Sequence, residues 1–437
     1  MNRDHAETYL RLLAEAELRS AATVPTGSGR QRLLLVAQAL TAVDAIDVGT
    51  AKQIQANLDL ALVWRRPSPG ATGVFLASNF DMESAQATSR ASWRVTPVGK
   101  VIRIRNGDAD RGLLLIAFVQ TAAGARFTIA GLPSRPLTAV DDRGDSYRVG
   151  FRGGHGAAEL LLRPDPPHQI RWLDLTTTPG EPATHLDLTT QAPAPDVTIT
   201  HRTRSPGELL LDVIAARILT SAAAFRQDIP EQLASSDPEL LPHPAAGLGD
   251  IVAALQAAEA LPTASPVPGQ LAGLCARLGI SGHGIPAPPA GDLPGPWQSM
   301  LSRHHRRKPY PAPPADSVAT AVGELPELDG ARAAILGLHH SERGTILHML
   351  ASGVTTGDDW AYTRGVRPPP LVWIRDSSDH WHTTRTDGVT RLGNTGDVLW
   401  WLEIVPPLER GTAWIEVVTE WPSAEVRVRL PLRWNES

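Results

Sequence analysis

The chain of 437 residues contains a single cysteine, Cys275, so its sequence excludes an intramolecular disulfide and a zinc site built from cysteines. Cys275 lies in a short helix-like stretch, Gln270 to Leu278, where we expect a buried apolar side chain. Long apolar runs are also lacking, because the longest, Leu113 to Val119, is far short of the roughly 20 residues that cross a bilayer. Acids and bases alternate from Met1 to Arg19, unlike a secretory signal. We therefore expect a cytoplasmic protein with no membrane partner.

The sequence lacks a strong charge of either sign, since its net charge is −5 and its pI is near 6.3. These values provide no attraction to nucleic acid, and we expect no nucleic-acid partner. The basic run Arg303 to Lys308 has no interleaved aromatic residues, which favours a solvated linker. Abundant arginine and alanine are typical of a GC-rich bacterial genome.

Catalytic signatures are missing as well. The chain has no Gly-rich phosphate loop, no Gly-x-Ser-x-Gly nucleophile turn and no His-Glu-x-x-His motif. The sequence therefore predicts no catalytic residue and no cofactor.

Helical periodicity marks two parts of the chain. Residues 1–70 predict a helical N-terminal segment, with helices over 6–22, 31–45 and 50–64. Residues 201–328 predict a helical and proline-rich connecting region. Within it, 12 of the 38 prolines lie between Pro262 and Pro314, which favours an extended linker with short helical turns.

Residues 94–200 and 329–437 show the period of two that is typical of strands, with turn residues between short runs. In length and strand spacing each segment resembles an immunoglobulin-like antiparallel β-sandwich, although the cysteine–tryptophan–cysteine signature of true immunoglobulin domains is absent. The expected fold class is therefore α+β and multi-domain, with two diverged sandwich units.

The two β segments are similar enough in sequence to indicate an internal duplication of one unit. Arg111-Gly112 matches Arg343-Gly344, Tyr147 matches Trp381, and Leu160 to Leu162 match Trp400 to Leu402. Further along, Trp172 matches Trp414, and Leu186 and Leu188 match Val428 and Leu430. The offset between matched positions grows only at turns, as expected when loops absorb insertions that strands do not tolerate.

Alternation along the strands places a tryptophan and an acid on the outer face of both units. Two interpretations are open for this face: cross-strand packing beneath arginine side chains, or a docking surface for another part of this chain or for a partner. Eight of the 12 tryptophans lie between Trp360 and Trp434, which favours some surface placement. The candidate partner-binding residues are Trp172, Trp401, Trp414, Glu416, Arg427 and Arg429.

Histidines of the second segment provide an alternative. His380 and His382 share one face of a predicted strand, and His339 lies in the same segment, so imidazoles could meet there on a metal ion. The first segment has no histidine at the matched positions and no carboxylate motif accompanies them, so solvent-facing strand histidines are the competing interpretation and no metal is predicted.

The sequence thus favours a non-enzymatic protein-binding or scaffold protein, whose partner is another protein or a second molecule of the same chain. The alternatives are an enzyme, such as a metal-dependent hydrolase using C-terminal histidines, and a carbohydrate-binding protein with tryptophan platforms.

Overall fold

The computed structural model describes residues 2–20, 27–47, 49–56, 93–106, 109–121, 124–131, 137–153, 158–176, 182–190, 195–227, 247–280, 283–304, 317–328, 331–341, 344–352, 371–392, 397–409, 411–421 and 423–435. The chain divides into two bodies, each built from separated segments. A helical body comprises residues 1–84, 203–298 and 358–369, and a β body comprises residues 85–202, 299–357 and 370–437.

Seven helices occur in the described part of the chain: α1 (Arg3–Ser20), α2 (Gly27–Ala42), α3 (49–56), α4 (Pro206–Gln227), α5 (Leu248–Ala257), α6 (Val267–Arg277) and α7 (Gly295–His304). The sequence predicts the third helix over residues 50–64, of which residues 57–64 lie outside the described residues. Among these described residues, no helix combines the length and the apolar character needed to cross a membrane.

Local sequence explains where α4 begins. Ser205 accepts a hydrogen bond from the backbone N–H of Glu208 at 3.2 Å, and the Glu208 carboxylate accepts one from the N–H of Ser205 at 3.0 Å. This reciprocal arrangement is a capping box, and Pro206 occupies the first helical position, where its missing N–H costs nothing.

In its described part, residues 262–280 and 283–304, the proline-rich stretch is not the extended linker that its composition predicts. Residues 262–304 contain α6 and α7, and Leu271, Leu274 and Cys275 are fully buried. Prolines lie at the first turns of these helices, where they are tolerated, so composition alone misleads here. Cys275 is buried as expected, and burial raises the pKa of its thiol to about 11.

The β body contains two curled antiparallel sheets. The first sheet comprises β1 (Arg94–Asn106), β2 (Ala109–Thr121), β3 (Gly124–Ala130), β4 (Leu137–Asp141), β5 (Ser146–Gly153), β6 (Ala158–Arg163), β7 (Trp172–Thr176) and β8 (Thr184–Asp187). The second sheet comprises β9 (Asp196–His201), β10 (Ser317–Thr320), β11 (Gly323–Glu324), β12 (Arg332–Ser341), β13 (Gly344–Ser352), β14 (Leu371–Asp376), β15 (Trp381–Leu392), β16 (Asp397–Val405), β17 (Trp414–Glu420), β18 (Ala424–Pro431) and β19 (Arg433–Asn435).

Both sheets have the same strand order, as the predicted duplication requires. The first runs β1-β2-β3-β6-β5-β4-β7-β8, and the second runs β10-β12-β13-β16-β15-β14-β17-β18, with β19 beyond β10 and β9 beyond β18. A β-bulge occurs at the same place in both, between Leu115 and Ala117 and between Ile335 and Gly337. A cis peptide bond follows β6 and β16, before Pro164 and Pro406.

These registers correct the first match made from sequence. Leu115 corresponds to Ile335, because each is the last residue before the bulge. Gly344 therefore corresponds to Gly124, and both adopt positive φ at a hairpin turn, +136° and +106°. The match of Arg111-Gly112 with Arg343-Gly344 is wrong, because it aligned two different strands.

The structure also shifts the sequence match of Tyr147 by one residue and that of Leu160 by two residues. The cis prolines and the β15–β16 register make His382, not Trp381, the counterpart of Tyr147. Leu160 corresponds to Leu402 rather than Trp400, because Leu160 pairs with Phe127 and Leu402 with the equivalent Leu347.

The last strands need the same kind of correction. Leu186 pairs with Leu173, and Leu430 pairs with the equivalent Ile415, so Leu186 corresponds to Leu430. Leu188 corresponds to Leu432 by the same register. The shift of two residues leaves the face of each side chain unchanged.

Each sheet encloses its own apolar core. The first core includes Phe118, Phe127 and Leu160, and the second includes Leu347, Trp400 and Val417. The outer faces of the two sheets also pack on one another, since Ala117 and Val119 of β2 share a buried cluster with residues of β12, β13 and β16.

Candidate functional site

The matched tryptophan–acid pair belongs to a small cross-strand cluster in each sheet. In the second sheet, Trp414 and Glu416 lie on β17 opposite Arg427 and Arg429 of β18. The Arg429 guanidinium lies 4.3 Å from the Trp414 ring centroid and 3.4 Å from a Glu416 carboxylate oxygen. Arg427 contacts the other Glu416 oxygen at 3.3 Å. The predicted packing of this pair beneath arginine side chains is therefore present.

The first sheet has an equivalent cluster, in which a histidine takes the place of Arg429. Trp172 and Asp174 lie on β7, and His185 of β8 pairs with Asp174. The His185 and Trp172 ring centroids are 5.4 Å apart, and His185 Nδ1 lies 2.8 Å from Asp174 Oδ1. We call Trp172, Asp174 and His185 the Trp172 cluster, and Trp414, Glu416 and Arg429 the Trp414 cluster.

The acid distinguishes the two clusters, because the Asp174 side chain is 38% exposed whereas that of Glu416 is 9% exposed. The other members are similar: His185 and Arg429 are 60% and 47% exposed, and both tryptophans are half-buried. Sequence reasoning found the tryptophans and acids but missed His185, because its place opposite Asp174 depends on the length of the β7–β8 loop.

The surroundings of the clusters differ in the same way. Thr138 and Val140, next to the Trp172 cluster on β4, are exposed. Their counterparts on β14 are Trp373 and Arg375, and Trp373 is fully buried even though it points away from the core of its sheet. Beside the Trp172 cluster the outer face is therefore open at Thr138 and Val140, whereas beside the Trp414 cluster the equivalent face is covered at Trp373.

Trp401 also points away from the core of its own sheet, as predicted, but it is only 4% exposed. It lies in the buried cluster that joins the two sheets, with Ala117 and Val119 from β2. Of the two docking alternatives raised by the sequence, contact with another part of this chain is the one that Trp401 makes.

The histidines named as possible metal ligands fall into two separate places. His339 Nδ1 lies 2.8 Å from His348 Nε2, and both rings are buried beside Trp401. Burial lowers the pKa of His339 to about 3 and the pKa of His348 well below its ordinary value. His380 and His382 instead surround Asp376. No described group of potential metal ligands joins His339 with His380 and His382.

Asp376 is the centre of a buried network at the β14–β15 turn. One of its oxygens accepts the backbone N–H groups of Ser378 and His380, each at 2.9 Å, and the other lies 3.2 Å from His382 Nε2. His382 Nδ1 donates to the Pro406 carbonyl at 2.6 Å, just beyond the cis bond.

Arg303 closes this network from α7. Its guanidinium lies 3.3 Å from His382 Nε2 and 3.5 Å from a carboxylate oxygen of Glu409. The sequence assigned Arg303 to a solvated linker, but its side chain is buried, so this prediction is wrong for Arg303. Residues 305–308 of the basic run lie outside the described residues.

Asp141 occupies the equivalent place in the first sheet. Its Oδ1 accepts the backbone N–H groups of Arg143 and Asp145, at 2.9 and 3.0 Å. Its Oδ2 accepts the Tyr147 hydroxyl at 2.7 Å and lies 2.8 Å from His168 Nε2. The same fully buried aspartate therefore anchors the same turn in both sheets, with Tyr147 and His382 at equivalent positions.

The electrostatics of both networks favour a structural role. Burial by itself raises the pKa of Asp376, but its contact with His382 and the hydrogen bonds from two backbone N–H groups outweigh burial and hold this pKa below its ordinary value. The pKa of Asp141 is lowered in the same way by Tyr147 and two N–H groups. Burial lowers the pKa of His382, although its contact with Asp376 acts in the opposite direction.

Two described groups have the composition of a metal site: Asp141, Asp145 and His168 in the first sheet, and Asp376, His380 and Glu409 in the second. The aspartate oxygens in both are already bonded within the turn, and in the second group the Arg303 guanidinium competes for Glu409. The donor set therefore fits a turn anchor better than a divalent cation, which needs oxygen lone pairs that are free to bind it.

We expect Asp141→Asn to reduce the free energy of unfolding by about 1.5–3 kcal/mol, because the charge that accepts three hydrogen bonds is lost. Asp142→Asn is the matched control in the same turn and should change the free energy by no more than about 0.5 kcal/mol. Urea denaturation of both variants checks this. Equal effects of the two substitutions would show that Asp141 does not anchor the turn.

Comparison of the chain with protein-family models, with curated proteins and with solved structures finds no match in any of the three.

Proposed function

We propose that this chain is a non-enzymatic protein-binding or scaffold protein, and that it binds its partner on the outer face of the first sheet, around the Trp172 cluster. The carrying observation is that equivalent clusters occur on both sheets, while only the first has an exposed acid and exposed residues on the neighbouring strand, where the second has the buried Trp373. A partly exposed tryptophan that packs against its neighbours is a typical anchor of a protein interface.

Strand order supports an immunoglobulin-like assignment for both units. Constant-type immunoglobulin domains place strands A, B, E and D in one sheet and C, F and G in the other. Lettered from β2, the first unit has the order A-B-E-D followed by C-F-G, and the second unit has the same order from β12. In that lettering, the Trp172 cluster lies on the outer face of strands C, F and G.

The chemistry of this face fits a polar partner surface with an apolar centre. Trp172 and Val140 provide apolar contact, and Asp174 and His185 provide one acceptor and one titratable ring beside them. Such a mixture of aromatic centre and polar rim is the usual composition of a protein interface.

The proposal is tested by the double variant Trp172→Ala/His185→Ala. We expect native mass spectrometry of protein purified from its own source to show a bound protein with the parent chain, and at least a tenfold loss with the variant. The thermal midpoint should fall by no more than about 2–4 °C, because a half-buried ring and its neighbouring imidazole are lost. Leu12→Ala, which removes an exposed apolar side chain from α1, is the matched control and should retain the partner.

Undiminished capture by the double variant would contradict this placement of the interface. Two outcomes favour the alternatives. A bound sugar lost with Trp172→Ala would favour a tryptophan platform for carbohydrate. A stoichiometric transition metal lost with Glu409→Gln would favour an enzyme using the Asp376, His380 and Glu409 group, whereas less than about a tenth of an equivalent would remove its main support.

A further inference from the structure

Strand β9 is an edge strand with an open side. It leaves the first sheet and pairs with β18, at the end of the second sheet. No described strand pairs with its other side, and five of its six residues are exposed. Ile199 at its centre is 40% exposed, which is unusual for a large apolar side chain on a strand.

The other terminal strands of the described sheets are poor templates for pairing. β1 contains Pro97 and a register shift between Pro97 and Lys100, β8 is only four residues long and β19 only three. Proline, lysine, bulges and short length are the features that protect sheet edges. β9, with the sequence Asp-Val-Thr-Ile-Thr-His, has none of them and consists largely of residues that favour strands.

The hydrogen-bond pattern shows which groups of β9 point to the open side. The N–H of Arg202 donates to the carbonyl of Ser423 at 3.1 Å, in the register that pairs His201 with Ala424. Because hydrogen-bonded pairs alternate along antiparallel strands, residues 198 and 200 also bond toward β18. The N–H and C=O groups of Val197, Ile199 and His201 therefore point to the open edge.

We propose that two molecules of this chain pair antiparallel along β9, with a twofold axis at Ile199. Residues whose N–H and C=O groups point to the open edge must pair with one another, so odd-numbered residues of one molecule lie opposite odd-numbered residues of the other. With Ile199 on the axis, the two Ile199 side chains meet, and each Thr198 lies opposite a Thr200, a favourable cross-strand pair. This interface joins the two second sheets into one continuous sheet and is isologous.

Proline placement favours this register. With Ile199 on the axis, Asp196 of each molecule lies opposite Arg202 of the other, but Arg202 already pairs with Glu420 and Glu425 of its own chain at 2.8 and 3.0 Å, so this contact adds little attraction. A shift that moves the axis to Thr198 would bring Pro195 into the ladder opposite His201, and proline has no N–H to donate. The pairing buries little surface, so we expect a weak, concentration-dependent dimer.

The test combines crosslinking with self-association. Under mild oxidation, Ile199→Cys should form a disulfide-linked dimer, because a cysteine on the axis faces itself. Thr198→Cys is the matched control: it lies opposite residue 200 and should crosslink far less. The parent chain should not crosslink, because Cys275 is buried. In sedimentation equilibrium, Ile199→Lys should weaken self-association about tenfold or more, because two lysines would meet on the axis.

A parent chain that stays monomeric at all concentrations would overturn the proposal, as would equal crosslinking by Ile199→Cys and Thr198→Cys. Capture of a different protein that protects β9 while the parent remains monomeric would also overturn it in favour of another occupant. The dimer does not depend on the proposed function, since Trp172→Ala should leave self-association unchanged.

Discussion

Lowering the pH from 6.5 to 4.5 is expected to reduce the free energy of unfolding of the β body by up to about 3 kcal/mol for each pH unit. The cause is the buried pair His339 and His348, whose ring nitrogens are 2.8 Å apart. Burial lowers the pKa of His339 to about 3 and that of His348 well below 6.5. One ring nitrogen donates and the other accepts, and burial disfavours the charged form of both rings.

The direction follows from proton uptake. In the unfolded chain both histidines bind protons below about pH 6.5, whereas in the folded chain they stay neutral until the pH is far lower. The unfolded state therefore binds more protons as the pH falls, and stability is lost. Above pH 6.5 neither state protonates these rings, and their contribution is complete. The lowered pKa values of Asp141 and Asp376 act in the same direction only nearer pH 4.

Urea denaturation at several pH values measures this slope. The matched variant is His339→Val/His348→Thr, because Val119 and Thr128 stand at the equivalent positions of the first sheet. The slope between pH 6.5 and 4.5 should become clearly smaller in this variant, and what remains should come from His340 and His382, whose pKa values burial also lowers. A parent chain whose stability is flat over this range would show that the pair is not held neutral.

Trp401→Ala is expected to cost about 3–5 kcal/mol of the free energy of unfolding, because it opens a cavity in the buried cluster that joins the two sheets. Its ring also contacts His348 edge-on, at 6.5 Å between centroids. Trp414→Ala is the matched control on the same sheet. It removes a half-buried ring and one cation–π contact, and should cost about 1 kcal/mol.

Thermal and urea denaturation of the two variants distinguish these roles. If Trp401 were a partner-binding residue rather than an internal contact, Trp401→Ala would be as mild as Trp414→Ala. A large loss for Trp401→Ala together with retained partner capture would confirm that this residue holds the β body together.

Much of the fold follows from local patterns in the sequence. The period of two identified both β segments. The sequence match of Trp172 with Trp414 agrees with the structure, because Asp141 pairs with Leu173 in the first sheet as Asp376 pairs with Ile415 in the second. Where matches slipped by two residues, as for Leu160, the predicted faces survived because side chains alternate with that period. The sequence match of Tyr147 was wrong by one residue, which reverses the face, so it did not show that Tyr147 corresponds to His382.

What could not be predicted depends on contacts between distant segments. Asp376 looks like an ordinary turn residue in the sequence, and only the fold brings Arg303 and Glu409 to it. Trp401 was correctly placed on the outer face, but nothing local indicates that β2 covers that face. The pairing of β9 with β18 joins residues more than 200 positions apart, and the hydrophobic periodicity of the sequence does not indicate which strands pair.

Oxidative footprinting of the tryptophans, with and without the bound partner, tests the central claim most directly. The account predicts that Trp172 is oxidised in the free chain and protected in the complex, while Trp401 is unreactive in both and serves as the internal reference. Oxidation of Trp172 that is unchanged by the partner would contradict the proposal that the outer face of the first sheet is the binding surface.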